Sequence, residues 1–559
     1  MGKGKFMSGK FFDSKCREGF PDNKEKILGY LLGPVGAQLL YFMIQTWLNV
    51  YYTDVLGLTE INPDFLFYFP LVFGIFVVLF NFIFGYLIDR TKTKQGKASP
   101  YIFLSAFLLP LSGALLFAIP DNQTAQYILV CLSFNLFFSV GYAIYNSSYN
   151  LLVPLSSRNS RSRNTLSTFA NLGMMIAQAI GSLFPTLIYP FIKTDKLLWF
   201  YAMLGISLLA MPFLLLQYYF TRERITEENA ELERKQPEIN EKKVSIKEQF
   251  SVVGKDHYWW ILIAYTFVFQ LGLAFKNSSV AYYCNWVIGD HYNDGYTMLL
   301  FNIIGGLSLA LGAVIIGPLS KKFTKRNLML YGFILYALGD LLCFIISYPG
   351  LFSLSKNTIL IWVLVGQFIK NFGAIPCVYI WMSLVGDVLD HLEWKAGFRC
   401  DGITVSFTTI FTLFMPILGN AIINKVLAND GYITPVGNGE GIVQNTNLQI
   451  ILDGLALGSE VVSSLIIVVL MLFFNVEKNL SKEQEEIQKR KKKIILASGG
   501  TWVSPKEREI LDEKEFDKAN EELALSHLKR KCDKHQLDFE IEKAKYFDKK
   551  AKKAKHEHD

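Results

Sequence analysis

The sequence predicts an all-α membrane protein in which twelve transmembrane helices form two pseudo-symmetric six-helix halves. Three observations carry that reading. The 559-residue chain is 51% hydrophobic, only 19% charged and holds 45 Phe and 27 Tyr, too apolar and too aromatic for a soluble protein of this size. Apolar runs of about 20 residues, the length that crosses a hydrocarbon core, recur from residue 34 to residue 475. A basic loop also occurs twice: Gly85-Tyr86-Leu87-Ile88-Asp89-Arg90-Thr91-Lys92-Thr93-Lys94 returns 232 residues later as Gly317-Pro318-Leu319-Ser320-Lys321-Lys322-Phe323-Thr324-Lys325-Arg326. Tyr51-Tyr52-Thr53-Asp54 and Tyr282-Tyr283-Cys284-Asn285 keep the same period, lying 231 residues apart. A long internal repeat in an apolar chain marks two stacked membrane half-domains, an architecture that holds a site at the repeat interface.

Helices are expected at about 34–55, 64–88, 100–119, 126–154, 165–190, 197–220, 258–287, 296–318, 328–348, 358–386, 403–428 and 453–475. These define a cytoplasmic N-terminal segment (1–33), a first bundle (34–220), a charged linker (221–257), a second bundle (258–475) and a charged tail (476–559). Alternate loops carry Arg90, Lys92, Lys94 and Lys97, then Arg158, Arg161 and Arg163, then Lys321, Lys322, Lys325 and Arg326. The loops between them are short and hold Asp121, Asp290 and Asp294. The positive-inside rule then places both termini in the cytoplasm of a multi-pass cell-membrane protein. The first apolar run lacks a small-residue cleavage site, so it reads as a retained helix and not a signal peptide.

The linker, with Arg222, Glu223, Arg224, Glu227 and Glu228, reads as a solvated tether. The stretch around Phe539-Glu540-Ile541-Glu542-Lys543 in the tail reads as an exposed helix or a disordered one. The seven cysteines show no metal or disulfide spacing, and Cys131, Cys284, Cys343 and Cys377 lie in apolar runs as small hydrophobes.

The repeated loop has the residue types of a gate. Gly85 and Gly317 are expected to let two helices approach closely. Asp89, one turn after Gly85, suits a bond to a neighbouring helix N-terminus or basic side chain. Arg90 and the lysines beyond it suit the anionic leaflet. The second copy has Lys321 where the Asp is expected, so the gate should be asymmetric.

The segment Gly85–Lys97 resembles the loop between helices 2 and 3 of the major facilitator superfamily. Asp89-Arg90-Thr91-Lys92-Thr93-Lys94-Gln95-Gly96-Lys97, preceded by Tyr51-Tyr52-Thr53-Asp54-Val55-Leu56-Gly57-Leu58, resembles the glycoside–pentoside–hexuronide cation symporters. Leu152-Val153-Pro154, Tyr282-Tyr283 through Gly289-Asp290, Gly386-Asp387-Val388-Leu389-Asp390 with Glu393-Trp394-Lys395 in the loop after helix 10, and Arg399-Cys400-Asp401-Gly402-Ile403 extend the likeness over residues 25–475. The resemblance implies a secondary transporter of glycosides working by alternating access. Along it, the family's sugar-binding carboxylates fall on Gln38 and Asn146, its cation-binding carboxylates on Val77 and Asn81, and its helix 11 lysine on Leu413. The motifs are kept while the charged centre is replaced by neutral residues.

The residues themselves offer candidate sites. Ionisable groups at the centre of a membrane helix cost about 2.5–3.5 kcal/mol on insertion scales and mark function unless they snorkel. Lys276, and Lys370 beside Asn371, are such groups and are read as lining a substrate cavity. Asp340 reads either as a packing salt bridge or as a coupling group. Gln38, Gln45 and Asn49 on helix 1 and Asn146 and Asn150 on helix 4 form ladders at helical spacing. Neutral donors and acceptors of this kind suit sugar hydroxyls, with Trp47 or Tyr149 for stacking. Asn81, Asp54 and Asp340 are candidate coupling residues for transported H+ or Na+. Exchanging carboxylates for Lys276 and Lys370 would make the cavity electropositive and favour an anionic sugar such as a uronide. Facilitated diffusion, and a non-transporting receptor or scaffold, remain as alternatives.

No enzyme, cofactor or nucleic-acid partner is expected. His257, His291 and His391 show no ligand spacing, and no phosphate-binding Gly-rich Lys loop is present. The partners expected are a small sugar, a coupling cation and bilayer lipid, with the chain a monomer.

Overall fold

Hydrocarbon offers backbone N–H and C=O groups no partner, so a chain this apolar satisfies them within helices. The computed structural model describes residues 13–16, 21–91, 93, 95–120, 122–156, 160–192, 195–224, 246–288, 296–398, 400–434, 443–497, 502 and parts of 507–556. Lys92, Lys94, Asp121, Arg158, Glu227, Glu228, Asp290, His291, Asp294 and Arg399 lie outside the described residues, as do the side chains of Asp89, Arg161, Lys321 and Asp401.

The helices are α1 (Glu25–Val55), α2 (Pro63–Arg90), α3 (Ser99–Leu115), α4 (Gln123–Ser156), α5 (Ser160–Leu187), α6 (Lys196–Tyr219) and a short α7 (Ile246–Val253). They continue as α8 (His257–Ile288), α9 (Tyr296–Lys322), α10 (Lys325–Ser347), α11 (Lys356–Gly373), α12 (Ile375–Ala396), α13 (Asp401–Asn429) and α14 (Thr446–Leu472). Beyond these lie α15 (Glu477–Ala497) and α16 (Phe539–His556). Among the described residues nine stretches are long and apolar enough to cross a membrane, and Ser99–Leu115 and Thr297–Ser308 are shorter apolar helices. On α2, Tyr68, Val72, Ile75, Leu79, Phe82 and Tyr86 recur at helical spacing and are all exposed. An apolar stripe of that kind is a lipid-facing surface.

The structure departs from the expected layout at several points. The first helix begins at Glu25, nine residues before the expected 34, because Glu25–Leu32 winds as a π-helix that runs into the Pro34 turn. The helix expected at 358–386 is two helices broken at Ala374, and the residues expected to form the loop after it, Gly386–Lys395, are the last turns of α12. That helix stops at Gly397, whose φ of +80° is a left-handed cap. The linker is not simply solvated at its start: Glu223 and Arg224 are anchors. The Glu223 carboxylate is buried and accepts from the amides of Lys97, Ala98 and Ser99 at 2.9, 2.9 and 2.7 Å, capping α3. Arg224 pairs with the buried Glu25 at 2.7 Å.

One hydrophobic core is built mainly from residues 30–218 and a second from residues 253–476. In the first, α1 meets α5 and α6; a Cβ on Gly36 would lie 2.5 Å from the Ala210 carbonyl oxygen. In the second, α10 and α11 are in closest contact, and a Cβ on Gly339 would lie 2.4 Å from the Lys370 amide nitrogen. Gly85 and Gly317 behave otherwise. A Cβ on either meets no heavy atom within 4 Å, so close helix approach is not what they provide in this structure.

The tail is part of the second core's surface. Glu477 accepts from the amides of Lys325 and Arg326 at 3.0 and 3.1 Å and caps α10. Glu486 accepts from the Trp394 indole at 2.6 Å and Lys491 pairs with Glu393 at 2.6 Å, fastening α15 along α12. His391 sits between two carboxylates, Nε2 at 3.2 Å from Asp256 and Nδ1 at 2.9 Å from Glu483. Lys395 also reaches Asp256 at 2.9 Å, and the Asp256 side chain accepts from the Trp259 amide at 3.1 Å to start α8.

This packing can be tested at two points. Gly339→Ala forces α10 and α11 apart and costs about 1–3 kcal/mol, whereas Gly85→Ala leaves the thermal midpoint in detergent unchanged; equal midpoints for the two would refute the packing argument. Burial opposes ionisation of Asp256, but hydrogen bonds from His391, Lys395 and the Trp259 amide outweigh it and hold the carboxyl well below the usual range. A depressed pKa stabilises the fold above the unfolded value of about 3.9 and is lost as pH falls toward the folded one. The thermal advantage of wild type over Asp256→Asn should therefore be full at neutral pH and shrink below about pH 4.

Candidate functional site

Two joined chambers lie against α1, α4 and α13. The deeper is a narrow cleft of about 40 Å³, lined by Tyr41, Gln45, Asn49, Tyr142 and Asn420, among others. The wider holds about 510 Å³ and is lined by Gln38, Tyr142, Asn146, Tyr149, Asn150 and Asn171, among others. Tyr41, Tyr142 and Leu413 border both. The rings of Tyr41 and Tyr142 stack at 3.9 Å and 10° as the partition, and the Tyr142 hydroxyl donates to Gln38 Oε1 at 3.4 Å. Asn150 donates to Asn146 Oδ1 at 3.5 Å. No Asp, Glu, Lys, Arg or His lines either chamber among the described residues. Such walls offer amide and phenol hydrogen bonds together with aromatic faces, the chemistry of a polyhydroxylated neutral ligand.

Thus Gln45 and Asn49 line the deeper chamber, and Gln38, Asn146 and Asn150 the wider one. Lys276, Lys370 and Asn371 do not line it. Asn371 donates to the Gln367 carbonyl at 2.7 Å within its own helix. Trp47 is buried against Trp199 and is no stacking platform, whereas Tyr149 borders the wider chamber. Asn81 donates to the Val77 carbonyl at 2.8 Å, while Val77 itself lines the deeper chamber.

A hydrogen-bonded seam begins at Asn49, on the lining of the deeper chamber. Asn49 donates to the Tyr282 hydroxyl at 3.1 Å, which also lies 2.9 Å from Thr53 Oγ1. Tyr432 donates to Asp54 Oδ1 at 3.1 Å and accepts from the Trp286 indole at 3.2 Å. Asn424 donates to the Leu66 carbonyl at 3.1 Å beside them. The seam joins the repeated segments: Thr53 and Tyr282 belong to the two Tyr-Tyr copies, and both segments turn π-helical there, at Tyr51–Val55 and Cys284–Ile288. Asp54, read from sequence as a coupling group, is here a buried seam acceptor that also receives the Thr53 hydroxyl at 2.7 Å. At the basic-loop end, the polar ties of Glu223, Arg224, Lys325 and Glu477 stay within one core or the other. Arg90 lies 4.3 Å from the Tyr86 ring centroid on its own helix.

Asp340 and Lys370 meet in the second core, 3.0 Å apart, and Lys370 also contacts Glu460. Tyr336 donates to Glu460 at 2.7 Å. The Lys370 charge is therefore answered by carboxylates, and the electropositive cavity that pointed to a uronide is not formed. Glu460 is legible as an acidic residue inside the apolar run of the last span, but a reading that follows the two lysines misses it. The same holds for Glu223, Arg224 and His391, which look like ordinary surface charges until α3, α1 and α15 are placed around them.

Among the described residues no group of three or more His, Cys, Asp or Glu is placed to hold a metal. A family model described as "MFS/sugar transport protein" matches residues 29–478. The isoprimeverose transporter of Lactiplantibacillus pentosus is 27% identical over 72% of this chain and 80% of its own length. The lactose permease of Lactobacillus delbrueckii subsp. bulgaricus is 24% identical over 73% of this chain and 63% of its own. A putative sulfoquinovose importer of Escherichia coli is 23% identical over 78% and 88%. In fold, the chain is similar to the peptide transporter POT in complex with sulfate, with a TM-score of 0.54 at 12% identity over 82% of this chain and 95% of that one. A single-residue mutant of the nucleoside transporter NupG gives 0.51 at 11% over 80% and 100%.

The seam makes a direct prediction. In a variant keeping Cys284 as its sole cysteine, that buried thiol should alkylate faster once Tyr432→Phe removes the bonds to Asp54 and Trp286. An unchanged labelling rate would show that the seam does not hold the chamber closed.

Proposed function

The chain belongs to the MFS/sugar transport protein family, and on that premise we propose that it carries a neutral glycoside across the cell membrane in symport with a cation. It is a helical secondary transporter related to sugar and solute symporters, and not an enzyme. The observation that carries the finer reading is the cavity: neutral amides and tyrosines of α1 and α4 beneath a closed seam. Assignment to the glycoside–pentoside–hexuronide symporters rests on Tyr51–Leu58, Asp89–Lys97 and the other motifs quoted from the sequence.

Nine long spans, two shorter apolar helices and Ser160–Leu187 support a twelve-span chain of two six-helix halves. With the basic loops and both termini in the cytoplasm, the closed seam lies outside and the wider chamber inside. Alternating access is then a rocking of the halves that breaks the seam and closes the basic-loop end, with Asp89 and Arg90 as part of the inner gate. Asn81 supplies no carboxylate for sodium, and its amide is already used by its own helix. A proton suits the remaining acidic groups better, and the transporter acts as a monomer in lipid.

Uptake of isoprimeverose and lactose into proteoliposomes tests the reading. Gln45→Ala and Asn146→Ala should each raise KM by about tenfold, the loss of one hydrogen bond of about 1.4 kcal/mol, with little effect of sulfoquinovose as competitor. Absence of neutral-glycoside uptake, or dominance by the anionic sugar, would sink it.

A further inference from the structure

The second core holds a charge cluster that the sugar cavity does not use. Asp340 on α10, Lys370 on α11 and Glu460 on α14 are all buried, with Lys370 touching both carboxylates. One ammonium between two carboxylates leaves a net negative charge, which a low-dielectric interior penalises. The nearest further cation is Lys276 on α8. Its side chain is half-buried and makes no hydrogen bond or ion pair among the described residues, although its charge acts on Asp340, Lys370 and Glu460. Neither Asp340 oxygen receives a well-directed hydrogen bond, despite the ion-pair contact.

We propose that Asp340, Lys370 and Glu460 form a proton-binding site, separate from the sugar cavity, in which one proton and the charge of Lys276 alternate as the neutralising partner. The proposal rests on the symport reading above. The cluster reaches neutrality in two ways. With Lys276 near, both carboxylates stay ionised; with Lys276 withdrawn, one carboxylate binds a proton. The switch lies in α8, which carries Lys276 and, six and ten residues later, the seam residues Tyr282 and Trp286. α8 packs on both α13 and α14. Opening the seam releases Tyr282 and Trp286 at the end of α8 and leaves that helix free to shift against α14, the step the proposal assigns to withdrawal of Lys276.

The groups facing Asp340 are Lys370 and Gln367 from α11, Glu460 from α14, Lys276 from α8, and Tyr336 and Cys343 one turn away on α10. Exchangeable side chains also flank it along α10. Tyr336, Asp340, Cys343 and Ser347 follow one another at spacings of four, three and four along α10, which places them on one face. Ser347 donates to the buried Asp453 at 2.7 Å, at the seam end of α14. These exchangeable groups lie between Asp453 and the cluster, and none of them lines the sugar chambers.

The test uses the full chain in proteoliposomes with trapped pyranine, isoprimeverose and lactose as probes, and proton and sodium gradients imposed separately. For one proton per sugar, a gradient of one pH unit supports about tenfold accumulation in wild type, with acidification of the lumen. Asp340→Asn and Glu460→Gln should each lose accumulation and acidification while keeping sugar counterflow, which certifies folding. Lys276→Gln should do the same, its cluster holding the proton permanently. Retained proton-driven accumulation in both carboxyl variants overturns the site. Wild-type uptake driven by sodium alone, without acidification, overturns it and leaves transport standing. Wild-type vesicles that move neither sugar under any gradient overturn the transport reading, and the site with it.

Discussion

Hydrocarbon cannot solvate a polar group, and the rest of this structure answers to that constraint. Backbone polarity is confined to helices, and side-chain polarity is gathered where protein, and not lipid, surrounds it. Amides and phenols collect on α1 and α4 around the chambers. Full charges collect between α10, α11 and α14 or at helix ends, where Glu223, Glu477 and Asp256 take up amides that would otherwise be orphaned. The lipid-facing stripe of α2 is the complement of that sorting.

The two polar centres have different chemistry because they meet different demands. On the proposed reading a sugar must enter and leave, which suits walls whose neutral hydrogen bonds water can replace at small net cost. A buried ion pair is worth little as a source of stability, and isosteric apolar side chains would often do as well. Lys370 with Asp340 and Glu460 is thus a costly way to build a core. In the proposed mechanism, separation of the two centres means that a proton and a sugar need not compete for the same atoms, with α8 as the helix that links them.

Span positions were readable because hydrophobic run length and loop charge act locally along the chain. The amide ladders of Gln38, Gln45 and Asn49 and of Asn146 and Asn150 were readable because helical spacing places them on shared faces. What escaped was whatever depends on the partner helix. Lys370 looked like a cavity cation until Asp340, 30 residues before it, and Glu460, 90 residues after it, came into contact with it. Gly85 and Gly317 looked like close-approach residues, yet the tight contacts belong to Gly36 and Gly339. The break at Ala374 and the early start at Glu25 were hidden by continuous hydropathy, which reports depth and not the path of the backbone.

The docking of α15 has a mechanical consequence. It is sewn to the start of α10 by Glu477 and along α12 by Glu486 and Lys491, so it turns with those helices as one piece. A helix of 21 residues at about 1.5 Å per residue is an arm of roughly 30 Å. Small rotations of the membrane-embedded core are magnified toward its far end. The position of that core is thereby written onto a charged surface outside the bilayer, where a soluble molecule can read it without touching the sugar path.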